Sequence, residues 1–241
     1  MGPPDPRTAI IGRLADELAD PQLAADAIRG LDEAAVTQLI AATGRDGATS
    51  PLLSYTPSTV GPDDVDSLWI FGFGYRLADG FDGTTTAGNP VPPPEAIVPG
   101  PTNEALARLA AEFIAQHPVP VIAQWEVAVV LDRLGVRGVI SVGPDFAADG
   151  TVSYLSTAGV VDKGLRVAAE QGVHVGRAGI VCFADHAVRC VLTALAAGMT
   201  AAVPDGVELP SDYDPDSGQS WTRSRASFIP ADLLARAFLQ G

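Results

Sequence analysis

From residue 67 onward the sequence alternates between short apolar runs and amphipathic stretches, and this rhythm restricts the fold more than any other feature. Ser67–Phe71, Val119–Ala123, Arg137–Ser141, Ala178–Phe183 and Thr200–Val203 read as strands. Thr102–His117, Trp125–Leu134, Thr157–Gln171 and Asp185–Ala197 carry helical spacing, and Gly135, Gly172 and Gly198 stand just past three of them as stops. A helix over Pro230–Gln240 follows. Strand–helix alternation of this kind demands right-handed crossovers and a parallel sheet, so the fold class is α/β with a doubly wound sheet. In such a sheet, ligands bind outside the carboxyl ends of the strands, near the point where strand order reverses. The residues immediately after each strand are therefore the ones to read for chemistry.

Ahead of this domain, residues 1–46 form a small helical region. Ile10, Ile11, Leu14 and Leu18 share a helical face, and Asp20-Pro21 is a helix-start signal. Residues 47–66, rich in Gly, Pro, Ser and Thr, read as a linker, leaving 67–241 as the α/β domain. The formal net charge of −14 opposes binding to nucleic acid, which needs Lys and Arg against phosphates, and to an anionic membrane surface. There is no apolar run of about 18 residues and no secretory signal pattern. Cys182 and Cys190 fall in one strand–helix unit and suit buried thiols of a reducing compartment, so the expected location is cytoplasmic. No Cys/His cluster has metal-ligand spacing, and neither a P-loop nor a Gly-x-Ser-x-Gly elbow is present.

After the first strand, Gly72 and Gly74 allow close backbone approach to a ligand, and Tyr75 and Arg76 follow them. Asp79–Pro101 shows no helix or strand pattern and reads as a loop bordering the pocket, with Thr84, Thr85, Thr86 and Asn89 as polar contacts. The second strand ends in Gln124-Trp125-Glu126. Trp125 and Glu126 fit a ring-stacking site with a carboxylate, or equally a core indole and a helix-start Glu favoured by the helix dipole. Ser156 or Thr157 fits a helix cap. After the fourth strand, Asp185 reads as a helix cap, with His186 in the first turn and Arg189 one turn on along the same face. That pair at a helix N-terminus suits an anion held with Arg76, and the imidazole also suits acid–base work. His117 and His174 lie at the opposite end of the sheet and are set aside.

Three of these segments carry a resemblance. Phe71-Gly-Phe-Gly-Tyr-Arg76, Ser156–Gly164 and Ile180–Arg189, with its His-x-x-Arg, resemble motifs of the YdcF/SanA/ElyC-like family, also described as domain of unknown function 218. The resemblance spans roughly Leu68–Leu239. It implies a Rossmann-like fold and a small-molecule ligand, anionic or of S-adenosylmethionine or nucleotide type. Gln124-Trp125-Glu126 departs from the family's Ser-Gly-Gly at this strand end, which implies a pocket of different shape. The expected function is a small-molecule enzyme with Glu126, Asp185 and His186 as catalytic groups. Gly72, Gly74, Tyr75, Arg76, Gln124, Trp125, Ser156, Thr157 and Arg189 would hold the ligand, and no metal is involved. A non-catalytic sensor and a degenerate interaction protein are the alternatives.

Overall fold

The computed structural model describes residues 6–18, 20–29, 31–43, 56–81, 92–146 and 152–237. Its helices are α1 (Pro6–Leu18), α2 (Pro21–Arg29), α3 (Glu33–Thr43), α4 (Gly100–Gln116), α5 (Trp125–Arg133), α6 (Thr157–Glu170), α7 (Ala187–Ala196) and α8 (Arg225–Ala237). The strands are β1 (Thr59–Val60), β2 (Ser67–Ile70), β3 (Arg76–Leu77), β4 (Ile97–Val98), β5 (Val121–Gln124), β6 (Ile140–Val142), β7 (Asp145–Phe146), β8 (Val152–Ser153), β9 (Arg177–Val181) and β10 (Thr200–Pro204). The chain divides into a helical unit, 1–56 with 224–241, and an α/β unit, 57–223.

In the helical unit Asp20 and Asp32 cap α2 and α3, accepting from Leu23 N at 2.9 Å and Ala35 N at 2.7 Å. Ile10, Leu14, Ala24, Ile28, Val36, Leu39, Phe228, Ile229 and Leu233 are buried. The last helix thus groups with the N-terminal helices, whereas the sequence pattern assigned it to the α/β domain. It also begins five residues before Pro230, because Ser224 Oγ accepts from Ser227 N and provides a start upstream of the proline.

In the α/β unit the strand order is β1-β10-β9-β2-β5-β6, all parallel. The chain runs outward from β2 through β5 to β6, then returns through α6 to β9 on the other side of β2. This is the order of a Rossmann-like doubly wound sheet, with its switch point between β2 and β9. Every residue of β2 and β5 is buried, as expected for central strands covered on both faces. Strand limits differ from the expected ones where punctuation residues intervene. Pro118 and Pro120 delay β5 to Val121, and the positive φ of Gly138 (73°) delays β6 to Ile140. The expected linker contains β1, whose two residues pair with Val203 and Pro204 but are too few to show periodicity. The long segment after β2 is likewise closed at its base by β3 and β4, pairing Arg76 with Val98 and Leu77 with Ile97. Thr84, Thr85, Thr86 and Asn89 lie outside the described residues.

Helix α6 reaches the sheet at Gly164. A Cβ there would stand 2.6 Å from Trp69 Cζ3 and 3.1 Å from Ile122 Cγ2. The Trp69 indole cannot swing away freely, because its Nε1 donates to Ser67 Oγ at 3.2 Å and Ser67 Oγ donates to Val175 O at 2.6 Å. Overpacking costs about 1–3 kcal/mol, against a gain of up to about 1 kcal/mol for alanine over glycine in a helix. Gly164→Ala is therefore expected to lower the urea midpoint without changing the slope of the transition. An unchanged or higher midpoint would show that α6 does not press on Trp69.

Candidate functional site at the carboxyl edge of the sheet

The turn after β2 is held by two buried amide side chains. Gly72 N donates to Gln124 Oε1 at 3.1 Å, and Phe73 N donates to Asn103 Oδ1 at 2.8 Å. Asn103 Nδ2 in turn donates to Gly74 O and Pro99 O, both at 2.7 Å. Gly74 needs its lack of a side chain twice over: its φ is +68°, and a Cβ would lie 2.7 Å from both Ser217 Oγ and Thr222 Oγ1. The amides of Gly72 and Phe73, which a phosphate would use in a glycine turn, are thus already donated within the chain.

Gln124 continues into a second chain of hydrogen bonds. Its Oε1 must face the Gly72 N–H, a donor only, so its Nε2 faces Tyr154 and donates to the phenol oxygen at 3.0 Å. The phenol proton is then directed to Glu126 Oε1, which accepts it in a close hydrogen bond. Glu126 is 1% exposed and makes no ion pair among the described residues. Burial raises its pKa to about 7, partly offset by hydrogen bonding from Tyr154 and by Trp125 and Gln124. Burial also lifts the Tyr154 phenol well above its ordinary range, with the Glu126 charge adding to it, and the same two causes raise Tyr75. Glu126 Oε2 and Trp125 Nε1 are buried and make no hydrogen bond of good geometry among the described residues, while the Trp125 indole still favours the charged carboxylate. Each such group costs about 1–3 kcal/mol while unmet.

At the end of β9 the structure places a 3-10 turn, Ala184–His186, before α7. This shifts the helix start past Asp185, which therefore does not cap the helix; its Oδ2 accepts from Tyr213 OH at 2.7 Å instead. The switch point itself is filled with rings. Phe73 stacks on Phe183 with centroids 4.0 Å apart, Tyr213 meets both edge-on, and buried His186 lies 6.2 Å from Phe73. Ser156 caps α6 by accepting from Gly159 N at 3.2 Å, and Thr157 Oγ1 accepts from Arg189 at 3.1 Å. Arg76 grips Asp214 with both Nε and Nη2 at 2.8 Å and reaches Asp216 at 3.3 Å. Gly72, Gln124, Glu126 and Tyr154 form one connected hydrogen-bonded group. Arg76, Thr102, Arg108, Glu112, Tyr213 and Asp214 line a cleft of about 670 Å³ between α4 and the segment 208–215.

Three residues that organise this edge were not singled out from sequence. Asn103 had a readable signal: a polar side chain on the buried stripe with Leu106, Ala107 and Ala110. Tyr154 and Asp214 had none, since Tyr154 is delivered by the β7–β8 hairpin and Asp214 by an irregular segment 138 residues from Arg76. Among the described residues no His/Cys/Asp/Glu group could hold a metal, and no helix is long and apolar enough to cross a membrane. No protein-family model, curated protein or solved structure matches the chain.

Two titrations check this geometry. The Tyr154 hydrogen bond lowers the Glu126 pKa, so Tyr154→Phe is expected to raise it above about 7 in a carbon-13 NMR titration. A fall would show that the phenol does not donate to the carboxylate. The Asp214 pKa is held below the usual carboxylate range, first by its hydrogen bond from Arg76. Its contribution to stability is present above the unfolded-state pKa and is lost as pH falls through the lowered folded value. Asp214→Asn should flatten that acid limb of stability against pH, and an acid limb equal to the wild type's would remove the pair from the account.

Proposed function

We propose that the α/β unit is a small-molecule enzyme that moves a proton through Glu126 at the carboxyl edge of its sheet. One observation carries this reading: a buried carboxyl group stands just past the end of a central strand, with one oxygen engaged by Tyr154 and, among the described residues, no cationic partner and no hydrogen bond of good geometry to the other oxygen. Because Tyr154 donates to Oε1, the neutral acid carries its proton on Oε2. Oε2 is therefore the atom that accepts a proton from the substrate and returns it. A pKa of about 7 places both forms within reach near neutrality, where general acid–base catalysis works best. Tyr154 and Gln124 are positioning residues; they set which oxygen reacts.

A small-molecule enzyme is the function implied by the resemblance to YdcF-like proteins, and the proposal keeps it. An S-adenosylmethionine, nucleotide or other anionic ligand is less favoured by the geometry. The Gly72 and Phe73 amides already have acceptors, Arg76 holds two carboxylates, and the switch point is packed with rings.

The test is to incubate the full chain, and separately Glu126→Gln, with a metabolite extract and follow depletion by mass spectrometry. At least one compound should be consumed by the wild type and lost to the variant by about 10²–10⁴-fold. The folding behaviour of the same variant is a second readout. A carboxyl with a raised folded pKa stabilises below its unfolded value and loses that contribution as pH rises through the folded one. Wild-type stability should therefore decline between about 4.5 and about 7, and Glu126→Gln should remove that decline. Equal depletion by both proteins would overturn the proposal.

A further inference from the structure

We propose that the cleft between α4 and the segment 208–215 binds a linear polyamine, an organic cation whose ammonium groups are separated by methylene chains. The cleft holds about 670 Å³, and a smaller hollow of about 190 Å³ shares Leu109 and Glu112 with it and reaches Gln116. One face of α4 lines both, because Pro101, Thr102, Ala105, Leu109, Glu112 and Gln116 recur at helical spacing. At about 1.5 Å per residue that face runs roughly 20 Å. The segment 205–215 lines the other side and supplies Asp205, Glu208 and Asp212. No lining residue belongs to the group of Gly72, Gln124, Tyr154 and Glu126, so the proposal stands apart from the proton-transfer reading.

Charge decides the sign of the ligand. Arg76 and Arg108 also line the cleft, but Arg76 is held by Asp214 and Asp216, and Arg108 by Glu104 at 3.6 Å. His117, in the smaller hollow, meets Asp63 at 3.0 Å. Glu112, Asp205, Glu208 and Asp212 have no ion pair among the described residues. An anion would have to draw a guanidinium from its carboxylate partner and face these four as well. Their dispersion also disfavours a metal ion, since among the described residues no group of three His, Cys, Asp or Glu could hold one. A cation with its charges spread along a chain matches that dispersion, and its methylenes suit the apolar Ala105, Leu109, Leu209 and Pro210 in the same cleft. Thr102 points to a ligand independently. It lines the cleft, is 5% exposed, and its Oγ1 has no hydrogen-bond partner among the described residues. A hydroxyl oxygen there can accept from an ammonium N–H, whereas valine would have the same shape without the cost of an unmet polar group. The positive end of α4 does not oppose a cation, because Asp214 lies beside Gly100 there.

The full chain would be titrated with spermidine at neutral pH and low salt by isothermal calorimetry. Trilysine, a peptide of the same net charge, and Mg²⁺, a compact cation, serve as comparisons. One spermidine per chain should bind, more tightly than either comparison. Glu112→Gln and Asp212→Asn should each weaken it roughly three- to tenfold. Glu170→Gln, on α6 and outside the cleft, should leave it unchanged and so separates a site from diffuse attraction to an acidic chain. Thr102→Val should weaken spermidine about tenfold, the loss of one hydrogen bond from a charged donor. The same variant should keep or raise the urea midpoint of the free chain, because no hydrogen bond is lost in the empty cleft; a merely structural hydroxyl would lower the midpoint and leave binding unchanged. No binding, equal weakening by Glu170→Gln, tighter binding of trilysine or Mg²⁺, or spermidine binding unchanged by Thr102→Val would overturn the proposal.

Discussion

The carboxamide of Gln124 joins everything that matters at the carboxyl edge. It ends the central strand β5, closes the turn after β2 through Gly72, and orients the phenol of Tyr154 through its nitrogen. Its orientation is not free, because a backbone N–H can meet only the amide oxygen. That single constraint propagates: the phenol accepts from Gln124, so its own proton goes to Glu126, so Oε1 of the carboxyl is occupied. A backbone amide in the turn after β2 thereby decides which oxygen of a carboxyl on a neighbouring element takes the phenol proton. A glycine in place of Gln124 would leave the Gly72 amide open, as an anion cradle requires. In this chain the amide is closed by a neutral side chain, and the edge becomes one governed by a carboxyl.

Electrostatics across the unit agree with that shift of character. The chain carries a net charge of −14, a field that attracts anions only where local cations are uncommitted. Arg76 is instead committed to Asp214 and Asp216. Asp214 lies beside Gly100 at the start of α4, where a Cβ on that glycine would come within 3.5 Å of its Oδ2. The chain's own carboxylate thus occupies the place at a helix N-terminus and a guanidinium that a ligand anion would seek.

The fold was legible because it rests on composition over windows. Five short apolar runs and the glycines between them suffice for a parallel doubly wound sheet, and the site edge follows from that topology. Gln124, Trp125 and Glu126 were legible for the same reason, as residues just past a strand. What could not be read was pairing across long separations. Nothing near residue 154 says that a hairpin will carry its phenol to Glu126, and nothing near residue 214 announces Arg76. Asp185 shows the complementary error: Asp before a helical run is a good cap signal, yet the 3-10 turn over 184–186 moves the helix start beyond it, and its carboxylate turns to Tyr213. Local patterns locate elements; the partners of polar side chains depend on the tertiary structure.

The remaining question is why a titratable group should stand at position 126 at all. Ionising a carboxyl whose pKa has moved from 4.5 to about 7 costs the folded protein on the order of 3 kcal/mol above neutrality, a large part of a typical domain's stability. A glutamine has nearly the same shape and could accept the Tyr154 proton through its amide oxygen without that cost. The hydrogen-bonded frame of Gln124 and Tyr154 therefore does not require an acid at its end. The proton transfer proposed above gives an acid a use there that an amide would not have. The neighbouring groups are consistent with this: Tyr154 and Gln124 steady one oxygen and only partly offset the desolvation, so the carboxyl stays near neutrality in pKa instead of becoming a permanent charge. A structural carboxylate would gain most from a strong cationic partner; Asp214 has one in Arg76, and Glu126 has none among the described residues.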